Sequence, residues 1–234
     1  MNVLAFDTCL GAVSVAVRGQ GAGGELLTRH AFELRERGQA ERLMPMIAEV
    51  MEEAGLAFSD LDRIAVTVGP GSFTGVRVGV AAARGLTLAS GRPVVGTTSL
   101  AVMAHRAFEL LGAARGERLL AVATDARRGM VYLQLFATSG DETGPPSLLA
   151  PEDAARSIGP RPIIVVGSGA DAVAGAVAAA GGDAEVALAE LQPDARSLAA
   201  MAAGLAPVSP VRPLYLRPPD AKPPADDTLP RAAL

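Results

Sequence analysis

The sequence predicts an α/β chain organised in two halves, and three observations predict it. Short β-branched runs alternate with longer segments of helical periodicity. A glycine-rich turn, Gly69-Pro70-Gly71-Ser72-Phe73-Thr74-Gly75, joins one such strand to one such helix. A strand–turn–strand pattern with an aspartate at its first bend occurs at Asp7 and recurs at Asp125.

The opening reads as an antiparallel meander. Val3 to Phe6 is a short apolar strand, and Asp7 to Gly11 is a turn. Val13 to Val17 is a second strand with its valines on one face, and Leu26 to Leu34 a third. A glycine-rich turn over 19–24 separates the last two. Gln39 to Ala54 is a helix, with Leu43, Ile47, Val50, Met51 and Ala54 at helical spacing and Gly55 to end it. Pro45 sits early in it, where it is best tolerated. Ile64 to Val68 is a strand that enters the central turn. The glycines there supply backbone angles that a Cβ forbids, and Pro70 fixes its own φ. Ser72 or Thr74 can cap the helix that runs from Val76 to Ser90. A strand starts at Val94, and Thr97 or Thr98 caps a helix over Ser99 to Leu111.

Residues 112–116 read as a joint between a lobe of residues 1–112 and a lobe of residues 113–217. In the second lobe, Leu119 to Ala123 and Met130 to Phe136 form the second hairpin, and 139–151 is loop. Ile163 to Val166 is a buried strand, and Gly167-Ser168-Gly169-Ala170 opens an Ala-rich helix ending near Ala180. A last helix spans Arg196 to Leu205. Prolines are frequent from Pro207 onward. Leu214-Tyr215-Leu216 docks on the body, and 218–234 reads as a Pro-rich, disordered tail.

Composition excludes several classes. Half of the residues are apolar, so a sizeable core is available. A net charge of −4, no basic block, aromatics at 3% and no Trp argue against direct nucleic-acid binding. The single cysteine, Cys9, cannot form an internal disulfide and suits a reducing compartment. No histidine near it in sequence would activate it, so it reads as a small buried or turn residue. Met1 to Asp7 has no basic segment and its apolar run stops at an acid, unlike a signal peptide. No stretch is apolar over membrane-spanning length. The expected location is cytoplasmic.

Three sharper readings of the central turn fail. A P-loop needs a Lys after its last glycine, and here Val76 and Arg77 follow Gly75. A nucleophile elbow needs glycines flanking Ser72, where Pro70 and Thr74 stand. The dinucleotide fingerprint matches at Gly69 and Gly71 and then meets Thr74. The turn is either a well-made strand-to-helix connection or an anion-binding helix N-terminus. Gly167-Ser168-Gly169 with Ala172 fits the dinucleotide pattern, but too little chain follows, and it reads as a glycine-assisted helix start.

Four motifs, in this order, resemble the TsaB family: Asp7-Thr8; Gly69-Pro70-Gly71-Ser72-Phe73-Thr74-Gly75-Val76-Arg77; Asp125-Ala126-Arg127-Arg128-Gly129-Met130-Val131-Tyr132; and Pro213-Leu214-Tyr215-Leu216-Arg217. That family is the non-catalytic subunit of the bacterial machinery that makes threonylcarbamoyladenosine in tRNA. The resemblance implies the fold of actin, sugar kinases and Hsp70, with two ribonuclease-H-like lobes, each a mixed sheet flanked by helices. Gln39 stands where many relatives carry His. Cys9 stands where nucleotide-binding members of the superfamily carry a glycine, which argues against ATP between the lobes. The catalytic relative TsaD carries a metal-binding His-x-x-x-His; here Ser99 and Met103 stand at those positions, and neither is a competent ligand for a hard metal. His105 is alone and out of register, and His30 lies on a strand.

The resemblance therefore implies no catalytic residue, no cofactor and no metal. It implies a TsaD-like catalytic partner, a TsaE-like ATPase, and tRNA contacted only through the complex, with no membrane. The alternative is a metal-independent protease-like or small-molecule kinase-like enzyme of the same superfamily. A partner surface is expected where Gly75, Gly79 and Ala83, with Ala82, flatten one helix face beside Leu43, Met44, Ile47 and Met51 of the preceding helix. That surface would dock on TsaD, or on a second copy of the chain when TsaD is absent.

Overall fold

The computed structural model describes residues 1–20 and 26–217. The tail of residues 218–234, and most of the glycine-rich turn expected at 19–24, lie outside them. Among the described residues, ten strands form two sheets. The first holds β1 (Val3–Asp7), β2 (Ala12–Gln20), β3 (Leu26–Leu34), β4 (Arg63–Thr67) and β5 (Val94–Thr97), in the order β3-β2-β1-β4-β5. The second holds β6 (Leu119–Asp125), β7 (Val131–Phe136), β8 (Ser147–Leu149), β9 (Ile163–Val166) and β10 (Ala184–Val186), in the order β10-β9-β6-β7-β8.

Counted within its own half, each sheet has the strand order 3-2-1-4-5. In each, strands 1, 2 and 3 are antiparallel neighbours and strands 1, 4 and 5 run parallel. The helices repeat too: α1 (Gln39–Ala54), α2 (Phe73–Ser90) and α3 (Ser99–Leu111) follow strands 3, 4 and 5 of the first half. Helices α4 (Pro151–Ile158), α5 (Ala170–Ala179) and α6 (Ala195–Met201) do the same in the second. The recurrence of a bend aspartate is thus the visible trace of a duplicated ribonuclease-H-like unit. The parallel strands are buried on both faces, which is why β1 and β9 read as continuous apolar runs without alternation.

The core has three layers of helix around two sheets. Helices α1 and α2 cover one face of the first sheet, where Leu43, Ile47, Val76 and Val80 pack on Leu4, Phe6, Val13 and Val15. Helices α4 and α5 cover the outer face of the second sheet. Between the sheets the two halves exchange helices. Leu198 and Ala199 of α6 pack on Val3, Ala5 and Ala16 of the first sheet. Leu100 and Met103 of α3 pack on Leu120, Val122 and Ile164 of the second.

Several expectations need adjusting. Helix α2 starts at Phe73, three residues before the apolar run, because Ser72 accepts a bond from the Gly75 N–H at 3.0 Å. Thr98 caps α3 in the same way. The segment 139–151 is not all loop, since it holds β8 and the first residue of α4. Pro151 at the first helical position, followed by Glu152 and Asp153, is the start signal that marks α4. The last helix ends at Met201 and continues as a 3-10 turn, Ala202–Gly204.

The expected partner face is corrected more deeply. Leu43, Ile47, Met51, Gly75, Gly79 and Ala83 are all buried in the chain's own core; only Met44 and Ala82 of the set reach the surface. The glycines make room for the chain's own first bend. A Cβ at Gly75 would stand 2.0 Å from the Thr8 carbonyl oxygen, and one at Gly79 would stand 2.9 Å from Thr8 Oγ1. The gaps at four-residue spacing therefore accommodate Thr8 of the same chain, its carbonyl at Gly75 and its hydroxyl at Gly79.

The segment 207–217 docks on the first half. The Val208 N–H donates to Val94 O, the Leu214 N–H donates to Val68 O at 2.7 Å, and Val211 is buried beneath the Arg84 guanidinium, which donates to its carbonyl. Gly69 permits this approach, since a Cβ there would lie 2.8 Å from Leu214 O.

Candidate functional site

Three of the four motifs, with Leu10 and Gly11 just after the first, line one cleft between the halves, about 720 Å³ in volume. Gly71, Ser72 and Phe73 of the central turn form one wall. Asp125, Ala126, Arg127 and Tyr132 of the second hairpin form the opposite wall, and Leu214 to Arg217 form the rim. The segment that docks on the first half also reaches the second, where an Arg217 Nη donates to Arg127 O at 3.3 Å.

Asp7 does not line this cleft. It lies beneath the wall, fully buried, at the C-terminal end of β1. Gly71 is folded so closely over the bend that a Cβ would stand 2.1 Å from Cys9 O, and the Ser72 N–H donates to that same oxygen at 2.7 Å. Thr67 Oγ1 donates to Asp7 Oδ1, and the Cys9 N–H donates to the same oxygen at 3.3 Å. Asp7 Oδ2 has no partner among the described residues. Burial pushes this carboxyl from its ordinary 3.8 up to about 6, against the lowering pull of the bonds from Thr67 and Cys9. Burial also pushes the Cys9 thiol well above its ordinary range, with the neighbouring Asp7 adding to the shift, so Cys9 is an inert core residue. Thr8 is tied down as well, its hydroxyl donating to Gly75 O at 2.6 Å.

Asp125 occupies the equivalent place in the second hairpin and is exposed. Its Oδ1 accepts from the Arg127 N–H at 2.8 Å, and its own N–H donates to Ser168 Oγ at 3.0 Å. Arg127, Arg128 and Gly129 are consecutive residues at φ 65°, 57° and 69°, so this turn is wound left-handed through two side-chain-bearing residues. Gly129 serves the turn and does not line the cleft.

At the rim, the Arg77 guanidinium carbon lies 3.5 Å from the centre of the Phe73 ring, and Arg77 Nε donates to the Tyr215 hydroxyl at 2.9 Å. The Phe73 and Tyr215 rings are 5.3 Å apart. The aromatic and the arginine of the central motif thus clamp the late motif. Thr74 is exposed beside them, and Pro70 is buried, its carbonyl accepting from Ser99 Oγ at 2.5 Å.

That contact also fills one of the would-be metal positions. Ser99 and Met103 are both fully buried. Met103 packs in the core between the sheets, where its Cε limits the space at Gly167. Among the described residues no three His, Cys, Asp or Glu side chains converge, and no helix is long and apolar enough to cross a membrane. His30 is exposed on β3, and His105 lies beside Glu109 one turn on.

Sequence reasoning missed Glu36, Gln39, Ser168 and Gln192 as cleft residues. Gln192 Oε1 accepts from the Gly11 N–H at 2.9 Å across a separation of 181 residues, which no local pattern announces.

The duplicated unit, the exchanged helices and a cleft between paired hairpins define a protein of the actin, sugar-kinase and Hsp70 class. Residues 33–161 match the family described as TsaD, tRNA N6-adenosine threonylcarbamoyltransferase. The fold superposes on YeaZ from Pseudomonas aeruginosa with a TM-score of 0.74 and 32% identity, covering 92% of this chain and 99% of that one. An uncharacterized protein of Mycobacterium tuberculosis is 35% identical over 95% of this chain and 94% of its own length. The tRNA threonylcarbamoyladenosine biosynthesis protein TsaB of Escherichia coli is 39% identical over 132 residues, 56% of this chain and 53% of that protein. The chain belongs to the TsaB/YeaZ family. Its alignments with the curated TsaB proteins of Escherichia coli and Haemophilus influenzae span about half of their lengths, 53% and 52%.

Proposed function

We propose that this protein is the non-catalytic partner subunit in formation of threonylcarbamoyladenosine beside the tRNA anticodon. In this reading it binds and supports a TsaD-like transferase in the cytoplasm, together with a TsaE-like ATPase, and meets tRNA only through the complex. In the absence of the transferase it associates with itself. The residues 1–112 and 113–217 act as its two lobes. The observation that carries the non-catalytic role is the start of α3: Ser99 and Met103, where the transferase carries its metal histidines, are sealed in the core and bonded or packed there. Ser72 is likewise committed, as the cap of α2.

The partner surface moves from the buried stripe to the outward faces of the same two helices. On α1, Met44 is 46% exposed and followed by Pro45 and Ala48; on α2, Leu88 is 89% exposed and flanked by Ala81, Gly85 and Ala89. Large exposed apolar side chains among small ones suit a helix-packing contact. Tagged protein is expected to capture a TsaD-like transferase from a bacterial lysate. Leu88→Glu is expected to abolish capture while its melting curve stays as in the wild type. Retained capture by the variant would move the contact elsewhere. Unchanged threonylcarbamoyladenosine in tRNA from cells depleted of the protein would refute the pathway assignment.

A further inference from the structure

We propose that the cleft between the halves is a docking groove for a proline-rich segment, and that its occupant is residues 218–234 of this same chain. Such a cover does not depend on a transferase partner.

The cleft is equipped for an occupant. Two of its polar side chains are more than nine-tenths buried and still have a free polar atom. Tyr132 is 8% exposed and lines the second-half wall, and its hydroxyl has no hydrogen-bond partner among the described residues. Gln39 is 7% exposed and lines the first-half wall. Its Nε2 donates to Arg35 O at 3.0 Å, and its Oε1 has no partner among the same residues. Buried polar atoms are normally bonded, so two of them left open on one cavity point to a group that comes between them.

The lining shows which kind of group. Aromatic residues are only 3% of the chain, yet both of its tyrosines and Phe73 line this one cleft, beside Leu10, Leu214 and Leu216. Aromatic-lined grooves take up proline-rich segments, because a backbone that is already extended loses little freedom on docking. The chain supplies such a segment at the cleft itself. Arg217 lies on the rim, and Pro218-Pro219-Asp220-Ala221-Lys222-Pro223-Pro224 follows it directly. Tethering favours this occupant over a free one, since a segment joined to the rim is present at about millimolar effective concentration.

The charges are complementary in the same order. An Arg217 Nη donates to Arg127 O, so the chain passes beside the Arg127 side chain, which is 83% exposed and 3.7 Å from the Asp125 carboxylate. Asp220 is three residues on, within about 10 Å of Arg217 by the reach of the chain, and is the acid placed to meet Arg127. On the first-half wall Glu36 is exposed and has no ion pair among the described residues, which suits Lys222.

Tyrosine emission tests this in the full chain. With no Trp and both tyrosines in the cleft, the signal reports on the cleft alone. Tyr215 is 42% exposed with respect to the described residues, so an occupied cleft is expected to shield it from acrylamide more than that exposure allows. Ser in place of Pro218, Pro219, Pro223 and Pro224 together is expected to raise quenching to that of an open cleft, with the melting curve unchanged. Arg127→Glu and Asp220→Arg, each alone, are expected to shift docking about five-fold toward the open cleft, and the double variant to restore protection. Should Arg127→Glu disturb its left-handed turn, Glu36→Arg and Lys222→Glu read the opposite wall in the same way, singly and combined. Quenching unchanged in the proline variant, single reversals without effect, or double variants that fail to recover would each overturn the proposal. A wild type shielded only on addition of ADP or of an RNA oligonucleotide would assign the cleft to a nucleotide or a nucleic acid, and would overturn it as well.

Discussion

The two bend aspartates hold the same place in two copies of one unit, yet they live in different chemistry. Asp7 and Asp125 each end the first strand of their sheet. Each accepts a backbone N–H from two residues on, Cys9 in one case and Arg127 in the other. Over Asp7 the central turn is folded down until Gly71 touches Cys9, and the acid is sealed. Over Asp125 the equivalent strand-to-helix connection, Gly167-Ser168-Gly169, packs on the strand before the bend, where the Gly169 N–H donates to Ala123 O at 3.0 Å, and its Ser168 Oγ accepts the Asp125 N–H, but the acid itself is left on the cleft wall. Backbone topology was inherited by both halves; what covers the bend decides whether the carboxylate faces solvent. In the first half the bend has become part of the core, and in the second it remains available to a ligand or partner.

The largest expected effect comes from prising the cover off. Gly71→Ala must displace backbone, since its Cβ would stand 2.1 Å from Cys9 O, and a loss of about 4 kcal/mol or failure to fold is expected. In the second hairpin Gly129 has open space around it and only its positive φ to satisfy, so Gly129→Ala is expected to cost about 1 kcal/mol. Urea denaturation of both variants checks the contrast. Similar losses would mean that the two bends are packed alike.

Next is the charge beneath the cover. The native Asp7 carboxyl titrates near 6 and the unfolded one near 3.8, so between those values the native state holds a proton that the unfolded chain has released. Stability from this site is therefore present at low pH and is lost as pH rises through about 6. Asp7→Asn has no such titration. Between about pH 4.5 and about pH 7.5 the stability difference is expected to move by about 2 kcal/mol in the variant's favour. A difference that does not change with pH would show that Asp7 is not sealed. Asp125→Ala, by comparison, loses the acceptor for the Arg127 N–H and an exposed ion pair with the Arg127 guanidinium at 3.7 Å, and a loss of about 1 kcal/mol is expected.

What the sequence made legible follows the same division. Backbone demands are written in glycine and proline, so the central turn, the hairpin bends and the helix starts at Ser72 and Thr98 could be read directly. The duplication was visible only as paired aspartates, because the two halves share strand order rather than residues. Strands of three residues, β8 and β10, carry too little periodicity to stand out. The exchange of α3 and α6 between sheets was illegible because a helix face records that it is buried, not which sheet buries it. The stripe of Gly75, Gly79 and Ala83 misled for a related reason. Small residues at four-residue spacing announce close approach, and the approaching group turned out to be Thr8 of the same chain.

The smallest expected effect tests whether the cover is itself held by the segment 207–217. Arg77 lies over Phe73 and bonds the Tyr215 hydroxyl, and Phe73 and Tyr215 are 45% and 42% exposed. In so open a setting the cation–π contact and hydrogen bond together contribute about 1 kcal/mol. Arg77→Met keeps a chain of similar length and removes both interactions. Global stability is expected to change little, but the Leu214 N–H, which donates to Val68 O beside Gly69, is expected to exchange with solvent about five-fold faster. The Ala126 N–H, bonded to Met130 O in the second hairpin, serves as the internal control and is expected to keep its rate. Acceleration at both amides would mean that the rim clamp steadies the whole cleft, through the contact of Arg217 with Arg127 O, rather than the first-half cover alone. Acceleration at neither would leave Val211 and the Arg84 bonds to its carbonyl as the attachment that holds the segment down.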